Sequence, residues 1–197
     1  MVQAGGRRVN SAKSLVALGS NVTSYFGTPV ETVKAALRAM NDGPTRLIAQ
    51  SRLYLTPFIP AGTGPDVVNA VALIETRLTP VALLQHLHGI EAEFDRRRET
   101  RWGARTLDLD LLSMDDLVLP DQRAFRRWQE LAPEAQKAQA PEGLVLPHPR
   151  LQDRGFVLMP AAEVAPDWRH PVLGLSITEM LVALPAEALD GIAAIEG

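Results

Sequence analysis

The sequence predicts an α+β fold: a ferredoxin-like βαββαβ core with an antiparallel sheet and helices packed on it, plus a C-terminal helical extension. Three observations lead there. Short apolar or alternating stretches recur at four places that read as strands. Two Thr-Pro pairs each open a segment whose apolar residues repeat at helical spacing. The segments follow the order β-α-β-β-α-β, which puts both helices on one face of the sheet.

Residues 1–13 are polar and Gly-rich and read as a loose lead-in; 14–197 read as a single domain. Ser14 to Gly19 is an apolar run that ends in Gly-Ser-Asn, a buried strand followed by a turn. Thr28-Pro29-Val30-Glu31 is a capping box with proline at the first helical position, and Val30, Val33, Leu37 and Met40 follow on one stripe. Asn41-Asp42-Gly43-Pro44 stops that helix. From Thr45 to Thr56 the period becomes two, with Leu47, Ala49, Leu53 and Leu55 expected on one side of a single strand. A loop rich in proline and glycine leads to the strand Val67 to Thr76, with Val68, Ala70, Ala72 and Ile74 facing inward and Asn69 on the opposite face.

Thr79-Pro80 opens the second helix, with Leu83, Leu87, Ile90 and Phe94 on its core stripe and His88, Glu91 and Asp95 on another. After an arginine-rich loop, Thr106 to Leu112 alternates as a strand. Residues from about 121 to 143 read as an inserted helical excursion carrying Phe125 and Trp128, which are expected to pack back on the domain. A loop over 144–154 leads to a helix from Gly155 to Val164, and Ser176-Ile-Thr-Glu179 is a second capping box for a C-terminal helix.

Composition narrows the function. Apolar residues make up 46% and charged residues 22%, with a net charge of −3, which argues against a general nucleic-acid binder. The chain has no cysteine, so disulfides and thiolate metal sites are excluded and a reducing compartment fits. No stretch approaches the roughly 20 apolar residues of a membrane span. Arg7, Arg8 and Lys13 are not followed by an apolar run, so no secretory signal is expected and the cytoplasm is the expected location.

The chemistry concentrates around Asp108-Leu109-Asp110. On a strand both carboxylates project to one side, while Leu107, Leu109 and Leu111 go to the core. Two adjacent carboxylates suit a magnesium ion, which takes oxygen ligands and shares them with substrate phosphates; a solvated strand face is the plainer reading. Arg96, Arg97, Arg98, Arg101 and Arg105 precede the pair, with Trp102 and Gly103 among them. Guanidinium groups bind phosphate oxygens bidentately, and carboxylates beside arginines are what in-line phosphoryl transfer needs. The arginines could instead neutralise the aspartates as surface ion pairs. His148, held between Pro147 and Pro149, and Arg154 could reach the same anion, although a loop histidine can equally be structural. Asn69 offers paired donor and acceptor groups suited to a pterin or purine edge, or a structural amide. There is no G-x-x-x-x-G-K-[ST] loop, so a P-loop enzyme is excluded.

The stretches LVALGSN (15–21), SRLYLTPFIP (51–60), VVNAVALIET (67–76), RRRETRWGARTLDLDLL (96–112) and LPHPRLQDRGFVLMPAAEVAPDW (146–168) together resemble the 6-hydroxymethyl-7,8-dihydropterin pyrophosphokinase family of folate biosynthesis. The resemblance implies ATP and a reduced pterin in one groove, with ATP as co-substrate and two magnesium ions held by Asp108 and Asp110. Arg96 and Arg105 would join those aspartates as the catalytic set. Arg98, His148 and Arg154 would contact the triphosphate, Arg101 and Trp102 would belong to a lid loop, and Glu91 would lie on the nucleotide side. Thr56, Pro57, Asn69 and Phe156 would form the pterin pocket, Asn69 bonding the ring and Phe156 stacking on it. The pterin hydroxymethyl oxygen would attack the β-phosphorus of ATP and AMP would leave. A monomer is expected, with small-molecule substrates and no nucleic-acid or membrane partner.

Three departures from the family pattern stand out. Val67 replaces a usual aromatic residue, Ala104 replaces a common proline, and the excursion over 121–143 is longer than usual. A two-metal phosphohydrolase and a non-catalytic ferredoxin-like binding module are the competing readings.

Overall fold

In the computed structural model, which describes residues 11–58, 64–94, 106–132, 135, 139 and 141–196, the expected order is present with additions. The elements are β1 (Ala12–Ser20), α1 (Pro29–Ala39), β2 (Thr45–Gln50), β3 (Tyr54–Thr56), β4 (Val67–Thr76), α2 (Pro80–Glu93), β5 (Asp108–Met114), α3 (Gln122–Gln129), α4 (Gly155–Val164), α5 (Ile177–Ala183) and β6 (Ala193–Ala194). The sheet runs β5-β1-β4-β3-β6, with β2 also on β4, and every pair is antiparallel. With β2 and β3 counted as one interrupted strand, the core is the anticipated βαββαβ arrangement.

Local signals account for the helices. Thr28 caps α1 as a full capping box: its N–H donates to Glu31 Oε2 at 2.7 Å while its Oγ1 accepts the Glu31 N–H. Val33 and Leu37 of α1 with its cap Met40, and Leu83, Leu87 and Ile90 of α2 with its cap Phe94, are buried in one core with Val16, Leu18, Ala70, Ala72 and Ile74. Side-chain alternation sends Leu15, Val71 and Leu112 through the other face, where they meet Leu158 and Ala161 of α4 and Ile177 and Met180 of α5. The sheet is therefore covered on both sides. The second layer of helices sets the depth at which any residue on that face can lie.

Four expectations need correcting. The lead-in ends earlier than residue 13, because Ala12 already pairs with Thr76 and the Lys13 N–H donates to Asp115 Oδ1. The strand expected over 45–56 is two strands. Ser51 interrupts it, its Oγ accepting the Val71 N–H at 3.0 Å. A bulge between Leu47 and Ala49 puts Ala49, paired with Leu73, on the face opposite Leu47, whereas Leu55, paired with Val68, keeps the expected face and is 40% exposed there. Finally, the extension after α4 is not helical throughout: it ends in β6, paired with β3.

α3 is capped by Asp121, whose Oδ1 accepts the Ala124 N–H at 2.8 Å. Phe125 is fully buried with its ring centroid 5.0 Å from that of His170, whereas Trp128 lines an open groove with Leu119, Pro120 and Leu144.

Candidate active site

β5 carries the acid pair as its alternation requires. Leu107, Leu109 and Leu111 enter the core beneath α1 and α2, so Asp108 and Asp110 project together from the opposite face. Asp110 remains open to solvent, its side chain 40% exposed. β5 ends the sheet, and the Leu109 N–H points away from β1 to be taken by the buried Glu91 Oε1 at 2.7 Å. An end-strand amide that would lack a partner thus receives a carboxylate from α2, between the two aspartates. Glu91 lies beneath the acid pair and holds the strand that bears it.

The neighbouring strands complete a row. Asp108 is paired with Gly19 of β1, Gly19 with Asn69 of β4, and Asn69 with Tyr54 of β3. Directly paired residues share a face, so Asp108 and Asn69 stand on the same side of the sheet with a side-chain-free glycine between them. Two strand spacings separate their backbones by roughly 10 Å. A Cβ on Gly19 would lie 3.3 Å from Asn69 Oδ1, so the glycine gives the amide its room. Asn69 Nδ2 donates to Thr56 Oγ1 at 2.7 Å, which leaves Oδ1 facing the cleft side of Gly19.

The loop over 144–154 closes the anionic end. The His148 N–H donates to Leu112 O at 2.8 Å, which ties the loop to β5. His148 Nδ1 accepts the Arg150 N–H at 3.1 Å, so the ring proton resides on Nε2. Burial, then the Arg154 and Arg150 guanidiniums, push the imidazole down to about 3 against the opposing pull of Asp108. His148 is therefore a neutral N–H donor near neutrality. Arg154 places Nη1 3.6 Å from Asp110 Oδ2 and its Cζ 5.7 Å from the centre of the Phe156 ring. Burial lowers the guanidinium's affinity for its proton and Asp110 opposes this; an arginine stays charged regardless.

Thr56 and Pro57 sit at the end of β3, beside Asn69, and Phe156 is partly buried at the start of α4. One cluster here carried no local sequence signal. Glu163 of α4 accepts the Arg52 N–H at 2.8 Å, Arg52 Nε–H at 2.7 Å and the Tyr54 hydroxyl at 2.6 Å. Although burial works the other way, these bonds hold the Glu163 carboxyl below its usual range, while burial and Glu163 raise Tyr54. The partners lie 109 residues apart in sequence, so only the fold brings them together. Arg150 likewise carries no local sequence signal, because its role depends on the turn that brings its amide to His148. Arg96, Arg98, Arg101, Trp102 and Arg105 lie outside the described residues.

Among the described residues no group of three or more His, Asp or Glu side chains forms a closed metal cage. Two carboxylates on one open face are nonetheless the donor set that magnesium uses, since it retains waters and completes its shell with substrate phosphate oxygens. No helix among the described residues is long and apolar enough to cross a membrane.

Comparison with known proteins gives the family. The model of the family described as 7,8-dihydro-6-hydroxymethylpterin-pyrophosphokinase (HPPK) matches residues 15–166. The 2-amino-4-hydroxy-6-hydroxymethyldihydropteridine pyrophosphokinase of Pseudomonas aeruginosa is 39% identical over 176 residues, covering 89% of this chain and 93% of that protein. The protein of the same name from Methylorubrum extorquens is 33% identical over 181 residues, covering 90% and 97%. The fold is shared with Plasmodium falciparum HPPK-DHPS at a TM-score of 0.65 and 14% identity, over 90% of this chain and 46% of that one. Matched along most of its length by the family model and along nearly all of it by such relatives, the chain belongs to the 7,8-dihydro-6-hydroxymethylpterin-pyrophosphokinase family.

Proposed function

We propose that this chain transfers the β,γ-pyrophosphoryl group of ATP to the 6-hydroxymethyl group of a 7,8-dihydropterin, giving AMP and the pterin diphosphate, a step of folate biosynthesis. The observation that supports the reading is the row Asp108–Gly19–Asn69, which puts a carboxylate suited to phosphate handling and an amide suited to ring recognition on one face with a glycine between them.

The residues divide the work. Asn69, buttressed by Thr56, presents its amide to the pterin edge, Pro57 flanks the ring and Phe156 stacks on it. Arg154 and the neutral His148 donate to phosphate oxygens, and Arg154 also lies against Phe156, which links the two ligand ends. Asp108 and Asp110 would hold two magnesium ions, which when bound neutralise charge on the phosphates. Glu91 acts through Leu109 by fixing the strand that carries the acids. Arg96, Arg98 and Arg105 are assigned to the triphosphate, and Arg101 and Trp102 to a covering loop, on family resemblance. No covalent intermediate is required, since positioning of the hydroxymethyl oxygen on the β-phosphorus, together with charge neutralisation, can carry most of the barrier. We further assign the enzyme to the cytoplasm as a monomer acting on small molecules, in line with its lack of cysteine and net charge of −3.

ATP bearing heavy oxygen in the α–β bridge tests the bond assignment. Attack at the β-phosphorus leaves that oxygen in AMP. Its appearance in pyrophosphate would place attack at the α-phosphorus and overturn the reading.

A further inference from the structure

The segment after α5 returns to the side of the sheet that carries Thr56 and Pro57, beyond residue 166 where the family match ends. Residues 193 and 194 form β6 on β3, Ala193 pairing with Leu55 and Ala194 with Tyr54, and the Ile195 N–H donates to Leu53 O at 2.8 Å. Just before β6 the backbone lies flush on Pro57. Gly191 adopts φ +73°, and a Cβ there would stand 2.6 Å from Pro57 Cγ. Farther back, the turn Ala186–Leu189 presses on the first residue of α4. A Cβ on Gly155 would stand 2.2 Å from the Ala188 carbonyl oxygen and 2.8 Å from Leu189 Cδ2.

Both contacts require glycine, for different reasons. At Gly191 the left-handed backbone disfavours a side chain and Pro57 leaves no room for one. At Gly155 only the approach of the Ala188 carbonyl matters. One short segment therefore makes backbone-tight contact with two separate elements: β3 with its Pro57 end, and the start of α4 between Arg154 and Phe156. Its pairing with β3 prevents it from yielding to one contact without disturbing the other.

We propose that Ala186–Ile195 is a positioning element that sets the separation of the two walls of the pterin pocket, Thr56–Pro57 on one side and Phe156 on the other. The proposal rests on the pterin-pocket assignment made above. It accounts for a strand of only two residues at the sheet end: β6 anchors the strap whose glycines touch the pocket walls.

Equilibrium binding of the pterin and, separately, of Mg-ATP to the full-length chain tests this in the wild type, Gly191→Ala, Gly191→Asn and Gly155→Ala. Saturable pterin binding by the wild type checks the pocket assignment independently, and its absence would refute that assignment and the strap together. Given that binding, each folded variant is expected to lose about tenfold in pterin affinity, because small displacements of binding groups have large effects. ATP affinity should stay within roughly twofold, a split that general loosening of the fold does not produce. Gly191→Asn tolerates positive φ, so a loss there reports the contact with Pro57 rather than backbone strain. Partial rescue of Gly191→Ala by Pro57→Ala, which removes the ring atoms the new methyl meets, is expected as well. Folded variants with unchanged pterin affinity, or with equal losses for both ligands, would overturn the proposal.

Discussion

Glu91 Oε1 accepts the backbone N–H of Leu109 at 2.7 Å, at the one residue that separates Asp108 from Asp110. A side chain from α2 thereby fixes the outer edge of β5 and, with it, the relative placement of the acid pair. Glu91→Leu fills similar space without an acceptor and should lower unfolding free energy by about 2–3 kcal/mol, the cost of a buried unpaired amide. Glu91→Gln retains a carbonyl acceptor and should lose much less. Turnover should fall in the leucine variant more than ATP affinity does. Urea unfolding and steady-state kinetics check both, and equal stability of the two variants would contradict the role.

Asp110 is solvent-open and faces Arg154 at 3.6 Å, so its charge serves ligands more than the fold. Asp110→Asn should reduce turnover by roughly 10²–10³, as loss of a group stabilising transition-state charge does. The melting temperature should move little, because a partly exposed ion pair adds little stability. Near-normal turnover in a folded Asp110→Asn protein would remove the aspartate from the phosphate machinery.

Asn69 bonds Thr56 through Nδ2, so its Oδ1 is the atom oriented for a ligand donor. Asn69→Ala should weaken pterin binding by about tenfold or more, the value of a hydrogen bond or two made within a buried site. ATP affinity should be nearly unchanged, and titration calorimetry with each ligand separates the two. Equal effects on both would place Asn69 in the general architecture instead.

Acid should destabilise the fold through His170, which is buried against Phe125 and Trp168 and accepts the Val172 and Leu173 N–H groups on Nδ1. Burial pushes its pKa down to about 4, below the usual 6.5. The unfolded chain therefore binds the proton more readily. His170's contribution is complete above pH 6.5, falls by up to about 1.4 kcal/mol per pH unit below it and levels off near 4. His148, held near 3, acts in the same direction. Denaturant titrations from pH 7 to 4.5 should show a shallower slope for His170→Asn than for the wild type; an identical slope would exclude His170 as a source.

Much of this was legible in the sequence wherever the determining interactions are local. The Thr28–Glu31 and Ser176–Glu179 boxes, and the stripe Leu83, Leu87, Ile90 and Phe94, depend on residues three or four apart and were readable as written. The acid pair was readable for the same reason, since alternation alone puts Asp108 and Asp110 on one face. What escaped is non-local. That Gly19 separates Asp108 from Asn69 depends on registers across three strands, which no single strand encodes. The break at Ser51, whose hydroxyl accepts the Val71 N–H of β4, likewise depends on a residue 20 positions away. The Tyr54–Glu163 bond and the contact of Gly191 with Pro57 join segments more than a hundred residues apart.

The central claim is that one cleft joins ATP to a reduced pterin. It is tested most directly by phosphorus NMR of the purified chain incubated with ATP, magnesium and 6-hydroxymethyl-7,8-dihydropterin. The account predicts AMP and a pterin diphosphate in equal amounts, neither formed when the pterin or the magnesium is omitted. ADP, free phosphate or pterin-independent AMP as the main product would contradict it.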